Sequence, residues 1–448
     1  MDEERNPYCP GAGWPPPELV GREEVVRNFD LLLKRLARGR HHRSQIVTGL
    51  RGVGKTVLLR HFEGLARSAD WYVALHEVQE GEDFRRAMAE IARTLILEMG
   101  SHPKLRGLAH RALGVLRSFA LKPSVKTSPD GSVEWALGIE PVPGQGDSGN
   151  LSTDLGVLFV EMGRLAKRRD SGVILLFDEV QGLNKKDLTA LIVAFHRAHQ
   201  DQLPIAIVAA GLPQLPKLAA QAKSYAERLF EFPELGALED AAGRAAVEGP
   251  AKLEGARYEP EALDVIKGES EWFPYFIQVW GSVAWNTAPG PAVITAADVE
   301  KARPAALKNL DSNFFKVRDE KATEKERDFM RAMTSLGDGP YKPGDIQRVM
   351  GVADQRSLSF VRDNLIKKGL VYSPGWGQIA FTVPHFAAYL RRKYPAWKDR
   401  DPLSVAGRAS GGPAVRRETA RAGESTREEI APSPRSRSRM IGQGPTKG

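Results

Sequence analysis

Residues 49–56 read Gly-Leu-Arg-Gly-Val-Gly-Lys-Thr, a glycine-rich stretch that ends in a lysine and a hydroxyl residue. Its glycines lack a Cβ, so the backbone can turn tightly and direct its N–H groups at phosphate oxygens. Lys55 would bring a positive charge to the β- and γ-phosphates, and the Thr56 hydroxyl could bind Mg²⁺. The stretch therefore predicts a site for ATP with Mg²⁺. The residues expected to contact the nucleotide are Gly49, Arg51, Gly52, Val53, Gly54, Lys55, Thr56 and Val57.

The flanking residues predict a strand before this loop and a helix after it. Residues 44–48 have strand character, and apolar residues recur at helical spacing over 57–62. A helix that begins near Lys55 would point the positive end of its dipole at the same phosphates. A glycine-rich turn that matches by accident is the alternative interpretation.

A second motif argues against an accidental match. Residues 173–177 are Val-Ile-Leu-Leu-Phe, and the carboxylates of Asp178 and Glu179 follow them. Such a run is typical of a central parallel strand that is buried on both faces, although a plain strand end is the alternative when the run is taken alone. Beside a phosphate-binding loop, Asp178 can hold Mg²⁺ and Glu179 can orient or deprotonate the attacking water.

Length and composition limit the class of protein. The chain has 448 residues, enough for two or three domains with a sizeable core. Its one cysteine, Cys9, excludes an internal disulfide and favours a reducing cytoplasm. The sequence contains no apolar stretch of membrane-spanning length, and its acidic N-terminus differs from a signal peptide. We therefore expect a soluble cytoplasmic protein with no membrane partner.

The positive charge is concentrated at the C-terminal end. Of a formal net charge of +8, residues 397–448 contribute eleven Lys or Arg and six Asp or Glu. This stretch is rich in Gly, Pro, Ser and Arg and cannot offset the entropy of ordering, so we expect a disordered basic tail over 396–448. Such a tail either adds solubility or weakly binds nucleic acid or acidic partners.

Strand and helix patterns alternate between the two motifs and beyond them. This alternation predicts an α/β fold with a parallel sheet that is covered on both faces, with the ligand at the carboxyl ends of the strands. Residues 122–150 contain the turn signal Ser-Pro-Asp-Gly and are expected to form a β-hairpin or a long surface loop. Further strands are expected at 71–78, 203–210 and 229–232, and helices at 82–99, 104–120, 151–168 and 185–200.

Two further modules are expected after the sheet domain. The strand signal stops over 233–313, where a helical domain is expected with breaks at Pro250, Pro260 and 289–291. Residues 320–395 then predict three short helices and a hairpin, the order of a winged helix-turn-helix. The helices are expected at about 323–336, 343–350 and from 354, and the hairpin strands at 370–372 and 378–382.

The third of these helices could bind duplex DNA or a protein. Arg356, Arg362 and Lys367 are expected on its outward face, where they could contact DNA. Asp354 and Asp363 are expected on the same face, and winged helices also serve as docking units for proteins. The assignment to DNA is therefore an argument from fold analogy.

Together the two motifs, the helical module and the hairpin module resemble the AAA+ ATPases of the origin-recognition-initiator type. The chain looks most like the bacterial and archaeal ATPases related to them, a group that overlaps the STAND signalling NTPases, and the resemblance covers residues 17–395. The segment 17–24, Pro-Glu-Leu-Val-Gly-Arg-Glu-Glu, matches a family segment that lies near the adenine ring. The resemblance implies contacts from Val20 and Gly21 to the base, and a P-loop NTPase sheet of AAA+ type with a helical lid and a C-terminal winged helix.

The resemblance also implies a candidate arginine finger and shows two departures. Residues 224–230 resemble the segment that carries the finger, so Arg228 could reach the γ-phosphate on a neighbouring subunit; an ordinary ion pair at a helix end is the alternative. Many family members have a lid arginine where Tyr275 follows Pro274 here. The strand at 203–210 should end in a polar sensor, but it ends Ala-Ala-Gly, with Gln214 the nearest polar side chain. We therefore expect tight nucleotide binding and slow turnover.

These observations predict five segments and three alternative functions. The segments are an N-terminal segment 1–16, a nucleotide-binding domain 17–232, a helical lid 233–313, a winged helix 320–395 and the tail 396–448. The first interpretation is an ATP-dependent switch that controls the winged helix. The alternatives are a DNA-binding initiator-like ATPase and a signalling or defence platform with protein partners. With any of the three functions, the chain could form a homo-oligomer.

Overall fold

The computed structural model describes residues 1–11, 19–120, 140–352 and 355–394. Several predicted features lie outside this part of the chain: the tail 396–448, the turn signal at 128–131, Pro17, Glu18 and Asp354. Among the described residues, no helix is both long and apolar enough to cross a bilayer.

A parallel sheet lies at the centre of the first half of the chain. Its strands are β1 (Ser44–Gly49), β2 (Tyr72–Glu77), β3 (Val173–Asp178), β4 (Ile205–Gly211), β5 (Phe230–Glu231) and β6 (Glu234–Leu235). Their spatial order is β2-β3-β4-β1-β5, with β6 also paired to β1. The predicted α/β fold is confirmed, and β4 separates the strands that carry the two motifs.

Helices cover both faces of this sheet because successive strand residues point to opposite sides. Ile174 and Leu176 of β3 pack with Phe62 in one core, and Leu175 and Phe177 pack in the other. The helices are α1 (Glu23–Ala37), α2 (Lys55–Ser68), α3 (Phe84–Gly100), α4 (Arg106–Ala120), α5 (Leu151–Lys167), α6 (Lys185–Gln200), α7 (Leu215–Ala222) and α8 (Ala226–Leu229).

The predicted helical lid contains four helices and a small strand pair. The helices are α9 (Asp240–Leu253), α10 (Pro260–Ser270), α11 (Pro274–Thr287) and α12 (Ala296–Asn309). Two strands that the sequence did not predict, β7 (Arg257–Tyr258) and β8 (Val293–Ile294), pair in parallel. The expected break at Pro250 is also wrong, because Pro250 lies inside α9. Full burial of Val247 and Ala251 holds this last turn in helical form.

The C-terminal module has its elements in the order that was predicted. A π-helical turn at Leu310–Phe315 leads into α13 (Lys316–Asp319). The module then contains α14 (Glu324–Ser335), α15 (Pro343–Met350), α16 (Gln355–Lys367), the antiparallel pair β9 (Val371–Tyr372) and β10 (Ala380–Phe381), and α17 (Phe386–Lys393), which was not predicted. Its interpretation as a winged helix, like the domain boundaries, stays a prediction.

One apolar core joins the lid, the C-terminal module and the N-terminal segment. Trp280 of α11, Phe315, Phe386 of α17 and Tyr8 belong to the same buried cluster. Trp285 also donates a hydrogen bond to the Asp2 carbonyl oxygen over 2.7 Å. The predicted lid is therefore packed against residues of both other segments.

Candidate nucleotide-binding site

The glycine-rich loop joins the carboxyl end of β1 to α2. Two different physical constraints, backbone conformation and space, require glycine in it. Gly52 and Gly54 have φ angles of 88° and 90°, a left-handed conformation that residues with a Cβ rarely adopt. At Gly49 the constraint is space, because a Cβ there would lie 2.4 Å from the carbonyl oxygen of Leu235. The backbone path thus depends on glycine at all three positions.

Lys55 is held under the loop, where its charge is poorly solvated. Its Nζ donates to the carbonyl oxygens of Gly49 and Leu50 over 3.0 and 2.8 Å. Burial lowers the pKa of Lys55 to about 8, although nearby Glu179 and Asp178 oppose the shift. Phosphate oxygens in the cleft would supply the compensating negative charge that the loop carbonyls supply only in part.

The two motifs touch directly through Thr56 and Asp178. The Thr56 hydroxyl donates to Oδ2 of Asp178 over 2.5 Å, and Oδ1 accepts the Glu179 N–H over 2.8 Å. Burial raises the pKa of Asp178, and these hydrogen bonds work against the shift. A hydroxyl and a carboxylate at one point are oxygen ligands of the kind that Mg²⁺ takes together with phosphate and water. These two residues therefore fit the predicted Mg²⁺ site.

Glu179 follows β3 and is engaged by two side chains. It has a φ of 50°, in the left-handed region that favours glycine, so its conformation is strained. Its Oε1 accepts from Nη1 of Arg51 over 3.2 Å, and its Oε2 accepts from the amide nitrogen of Gln181. Both oxygens of the predicted catalytic carboxylate are thus hydrogen-bonded within the protein.

One cavity of about 680 Å³ connects these groups. That volume falls within the usual range of small-molecule sites. Gly21 and Gly49 do not belong to its lining, and Gly21 instead packs closely against Ala242. The predicted site residues that line it are Val20, Arg51, Gly52, Val53, Gly54, Lys55, Thr56, Val57, Asp178 and Glu179.

Arg228 lies near the amino end of β1, whereas the phosphate-binding loop follows the carboxyl end of that strand. It precedes Phe230, which pairs with Ser44 at the amino end of β1. A strand of this length spans about 20 Å, too far for an arginine side chain to reach the loop of its own chain. Arg228 lines a separate cleft with His41 and Glu231. Its role toward a neighbouring subunit stays a prediction.

The sequence interpretation missed two polar residues near Glu179. Gln181 bonds Glu179 and also accepts the N–H of Leu212 over 3.0 Å, so it links the acid to the end of β4. Arg318 of α13 lines the same cavity from the C-terminal side. A search for polar residues just after the acidic motif could have found Gln181, but no sequence pattern pointed to Arg318.

Comparison with known proteins agrees with this geometry. Residues 18–208 match the family model described as an AAA ATPase domain, and residues 312–390 match one described as a domain of unknown function. No curated protein matches the chain. The prediction of an AAA+ P-loop ATPase is therefore confirmed, and with it a nucleotide-binding function.

Three solved structures are similar to the chain at low sequence identity, and the first of them has a TM-score above 0.5. A Walker-type ATPase of Pyrococcus abyssi is 17% identical, with a TM-score of 0.51 over 83% of this chain and 96% of that chain. The ORC1 protein of Aeropyrum pernix in complex with DNA is 15% identical, with a TM-score of 0.41 over 84% and 94%. The RuvB Holliday junction branch migration motor of Thermotoga maritima is 16% identical, with a TM-score of 0.41 over 84% and 96%.

Proposed function

We propose that the chain is an ATP-dependent switch in which the nucleotide bound at residues 49–57 controls the module at 320–395. Lys55 and the loop N–H groups bind the phosphates, and Thr56 and Asp178 hold Mg²⁺, whose charge neutralises the phosphate oxygens. Glu179 orients the attacking water. In this proposal the protein hydrolyses ATP, and its turnover rate is low.

The observation that carries the proposal is the position of Arg51. Its backbone N–H donates to the Thr382 carbonyl oxygen over 3.0 Å, just after β10 of the C-terminal hairpin. Its side chain binds Glu179. Thr382 is fully buried and its hydroxyl donates to the Gly369 carbonyl oxygen over 2.6 Å, so the residue that binds the Arg51 backbone is held in place by the hairpin. A phosphate that attracts Arg51 would change its contacts with the hairpin and with the candidate catalytic acid together.

Slow hydrolysis follows from the surroundings of Glu179. Arg51 and Gln181 each donate a hydrogen bond to one of its oxygens, and these donors compete with the attacking water for the carboxylate. β4 ends in Ala209, Ala210 and Gly211, which offer no polar side chain to the attacking water. Phosphoryl transfer depends on positioned charge, so each missing contact lowers the rate.

The test measures nucleotide binding, ATP turnover and protection of the hairpin together. Lys55→Ala should abolish ATP binding, and Glu179→Gln should bind ATP but not hydrolyse it. Hydrogen exchange at residues 369–382 should change when wild type binds ATP, remain changed in Glu179→Gln, and not respond in Lys55→Ala. Lys185→Ala, an exposed lysine at the start of α6, is the matched control. Turnover of many ATP per second, or hydrogen exchange in the hairpin that does not change when ATP binds, would contradict the switch.

Binding to duplex DNA distinguishes two classes of partner for the module at 320–395, namely DNA and a protein. Arg362 of α16 is already paired with Asp363 at 3.0 Å, which weakens the case for a phosphate contact. Phe360 on α16 is 69% exposed and Trp376 in the hairpin turn is fully exposed, and large aromatic side chains of this kind are enriched where proteins dock. Fluorescence anisotropy with duplex DNA at several salt concentrations, with the tail 396–448 removed, is the test: affinity that falls steeply as salt rises indicates DNA. Partners that survive nuclease treatment indicate a protein platform.

Sedimentation tests the homo-oligomer that Arg228 requires. If the arginine completes the site of a neighbouring subunit, ATP should promote self-association, and Arg228→Ala should lower turnover without lowering ATP affinity. Arg43→Ala, at the same edge of the sheet and paired with Glu231 over 2.9 Å, is the control. A monomer at all ATP concentrations would remove this role from Arg228.

A further inference from the structure

We propose that Arg318 is a ligand of the terminal phosphate of bound ATP, contributed by the C-terminal segment and not by the lid. This inference rests on the proposed function, because it requires ATP to bind at the P-loop. It would make residues 312–390, which match the family model described as a domain of unknown function, part of the nucleotide site.

A series of stacked side chains places Arg318 beside the loop. The backbone N–H of Tyr275 donates to the Gly52 carbonyl oxygen over 3.1 Å. The Tyr275 ring stacks on Phe314 with 4.3 Å between centroids, and the guanidinium carbon of Arg318 lies 3.8 Å from the Phe314 ring centre. Since aromatic stacking restricts the planar guanidinium, Arg318 is held at the wall of the cavity that Lys55 also lines.

Arg318 lacks the partners that neighbouring arginines have. Arg327 is bonded to Asp319 over 3.1 Å, and Arg392 to Asp311 over 2.5 Å. Within the described part of the chain, Arg318 forms no ion pair, and its buried Nε has no hydrogen-bond partner. A nitrogen of its guanidinium donates only to the Phe314 carbonyl of the same helical turn. An unsatisfied, partly buried guanidinium that faces a cavity is a site for an anion.

The surrounding charges indicate which phosphate Arg318 would contact. Burial lowers the pKa of Arg318 to about 10, and the nearby Arg51 cation adds to the shift while Glu179 opposes it. Two cations without an intervening anion repel each other, and a phosphate between them would relieve that cost. Glu179 marks the end of the cleft where water attacks, so the phosphate shared with Arg51 is the terminal one. The resemblance to AAA+ ATPases implied a lid arginine at the position of Tyr275. Arg318 supplies that positive charge from the C-terminal segment instead.

Titration calorimetry with Mg-ATP and Mg-ADP tests this assignment on the full chain. Arg318→Ala should weaken ATP binding by about ten- to a hundredfold, the range of a hydrogen bond to a charged group, and change ADP binding by less than about threefold. Arg318→Lys should fall between wild type and Arg318→Ala. Lys316→Ala, an exposed lysine on the same short helix, should behave as wild type. Unchanged ADP affinity also shows that the Arg318→Ala variant is folded.

The possible outcomes separate this inference from the proposed function. If wild type binds neither nucleotide, both fail. If wild type binds ATP but Arg318→Ala binds it equally well, or if ATP and ADP affinities fall by the same factor while Lys55→Ala abolishes both, the terminal-phosphate contact is wrong and the switch stands. A loss for ATP alone, with ADP preserved, supports the assignment.

Discussion

Arg51 of the phosphate-binding loop and Glu179 at the end of β3 form an ion pair with 3.2 Å between Nη1 and Oε1. Each side chain is about one-quarter exposed, so water partly screens the pair. The same arginine is anchored by its backbone to Thr382. The candidate catalytic acid is thereby connected through one residue to the C-terminal module, and this relationship leads to the first prediction.

Arg51→Ala should lower the ATP turnover rate by about tenfold, because the variant loses the cation that shares the terminal phosphate with Arg318, and release of Glu179 from a screened ion pair of about 0.2–1 kcal/mol offsets only part of that loss. Steady-state phosphate release at saturating ATP measures the effect. Arg67→Ala, which breaks an ion pair on the far part of α2, should leave turnover unchanged. A faster rate in Arg51→Ala at saturating ATP would mean that Arg51 restrains Glu179 and does not contact the terminal phosphate.

ATP binding above pH 8 should be accompanied by proton uptake at Lys55. The pKa of free Lys55 is lowered to about 8, and phosphate oxygens should raise it again. Calorimetric titrations at about pH 9 in buffers of different ionisation enthalpy measure the protons taken up. Lys55→Arg, whose side chain stays charged at this pH, should lose the effect. Equal proton uptake in the two proteins would show that another group titrates.

Stability of the nucleotide-free protein should also depend on Lys55. Between the lowered folded pKa of about 8 and the ordinary value of 10.5, the unfolded chain holds a proton that the folded chain has released. The contribution of this group to the free energy of unfolding therefore rises as pH increases through that window, and below it the cost of burying the charge is complete. Lys55→Met should flatten this part of the denaturation profile. An unchanged slope would place the titration elsewhere.

Gly49→Ala should lower the free energy of unfolding by about 1–3 kcal/mol, the usual cost of overpacking a fixed backbone contact. Its Cβ would meet the Leu235 carbonyl oxygen at 2.4 Å, where β6 pairs with β1. Gly64→Ala is the control, because this exposed position in α2 has no atom within 4 Å of a built Cβ. Gly64→Ala should stabilise the helix by about 0.5–1 kcal/mol. Denaturant titration measures both, and equal effects would contradict the steric argument.

Thr56→Ala and Asp178→Asn should each reduce the contribution of Mg²⁺ to ATP affinity. The first removes an oxygen ligand and the second removes the negative charge that favours the metal. Binding of ATP is measured at several Mg²⁺ concentrations and with a chelator. Thr94→Ala, an exposed threonine on α3, should keep the wild-type response. Full Mg²⁺ dependence in both site variants would mean that other oxygens hold the ion.

Local sequence determined the two motifs and the elements that carry them. The loop glycines, Lys55 and Thr56 follow one another along the chain, and the apolar run before Asp178 fixes a buried strand by its own composition. The parallel sheet and the order of helices and hairpin strands were predicted for the same reason, since periodicity is a short-range property. Where packing overrode a local signal, as at Pro250 in α9, the prediction failed.

Tertiary structure alone decided which distant residues meet. Thr56 and Asp178 are 122 positions apart, and their 2.5 Å hydrogen bond joins the helix after β1 to the end of β3, although β4 separates these two strands in the sheet. Arg318 reaches the cavity only because Tyr275 and Phe314 stack between it and the loop, and Thr382 meets Arg51 only because the hairpin lies against the loop. Such contacts depend on how separate elements pack, which composition and spacing do not encode locally.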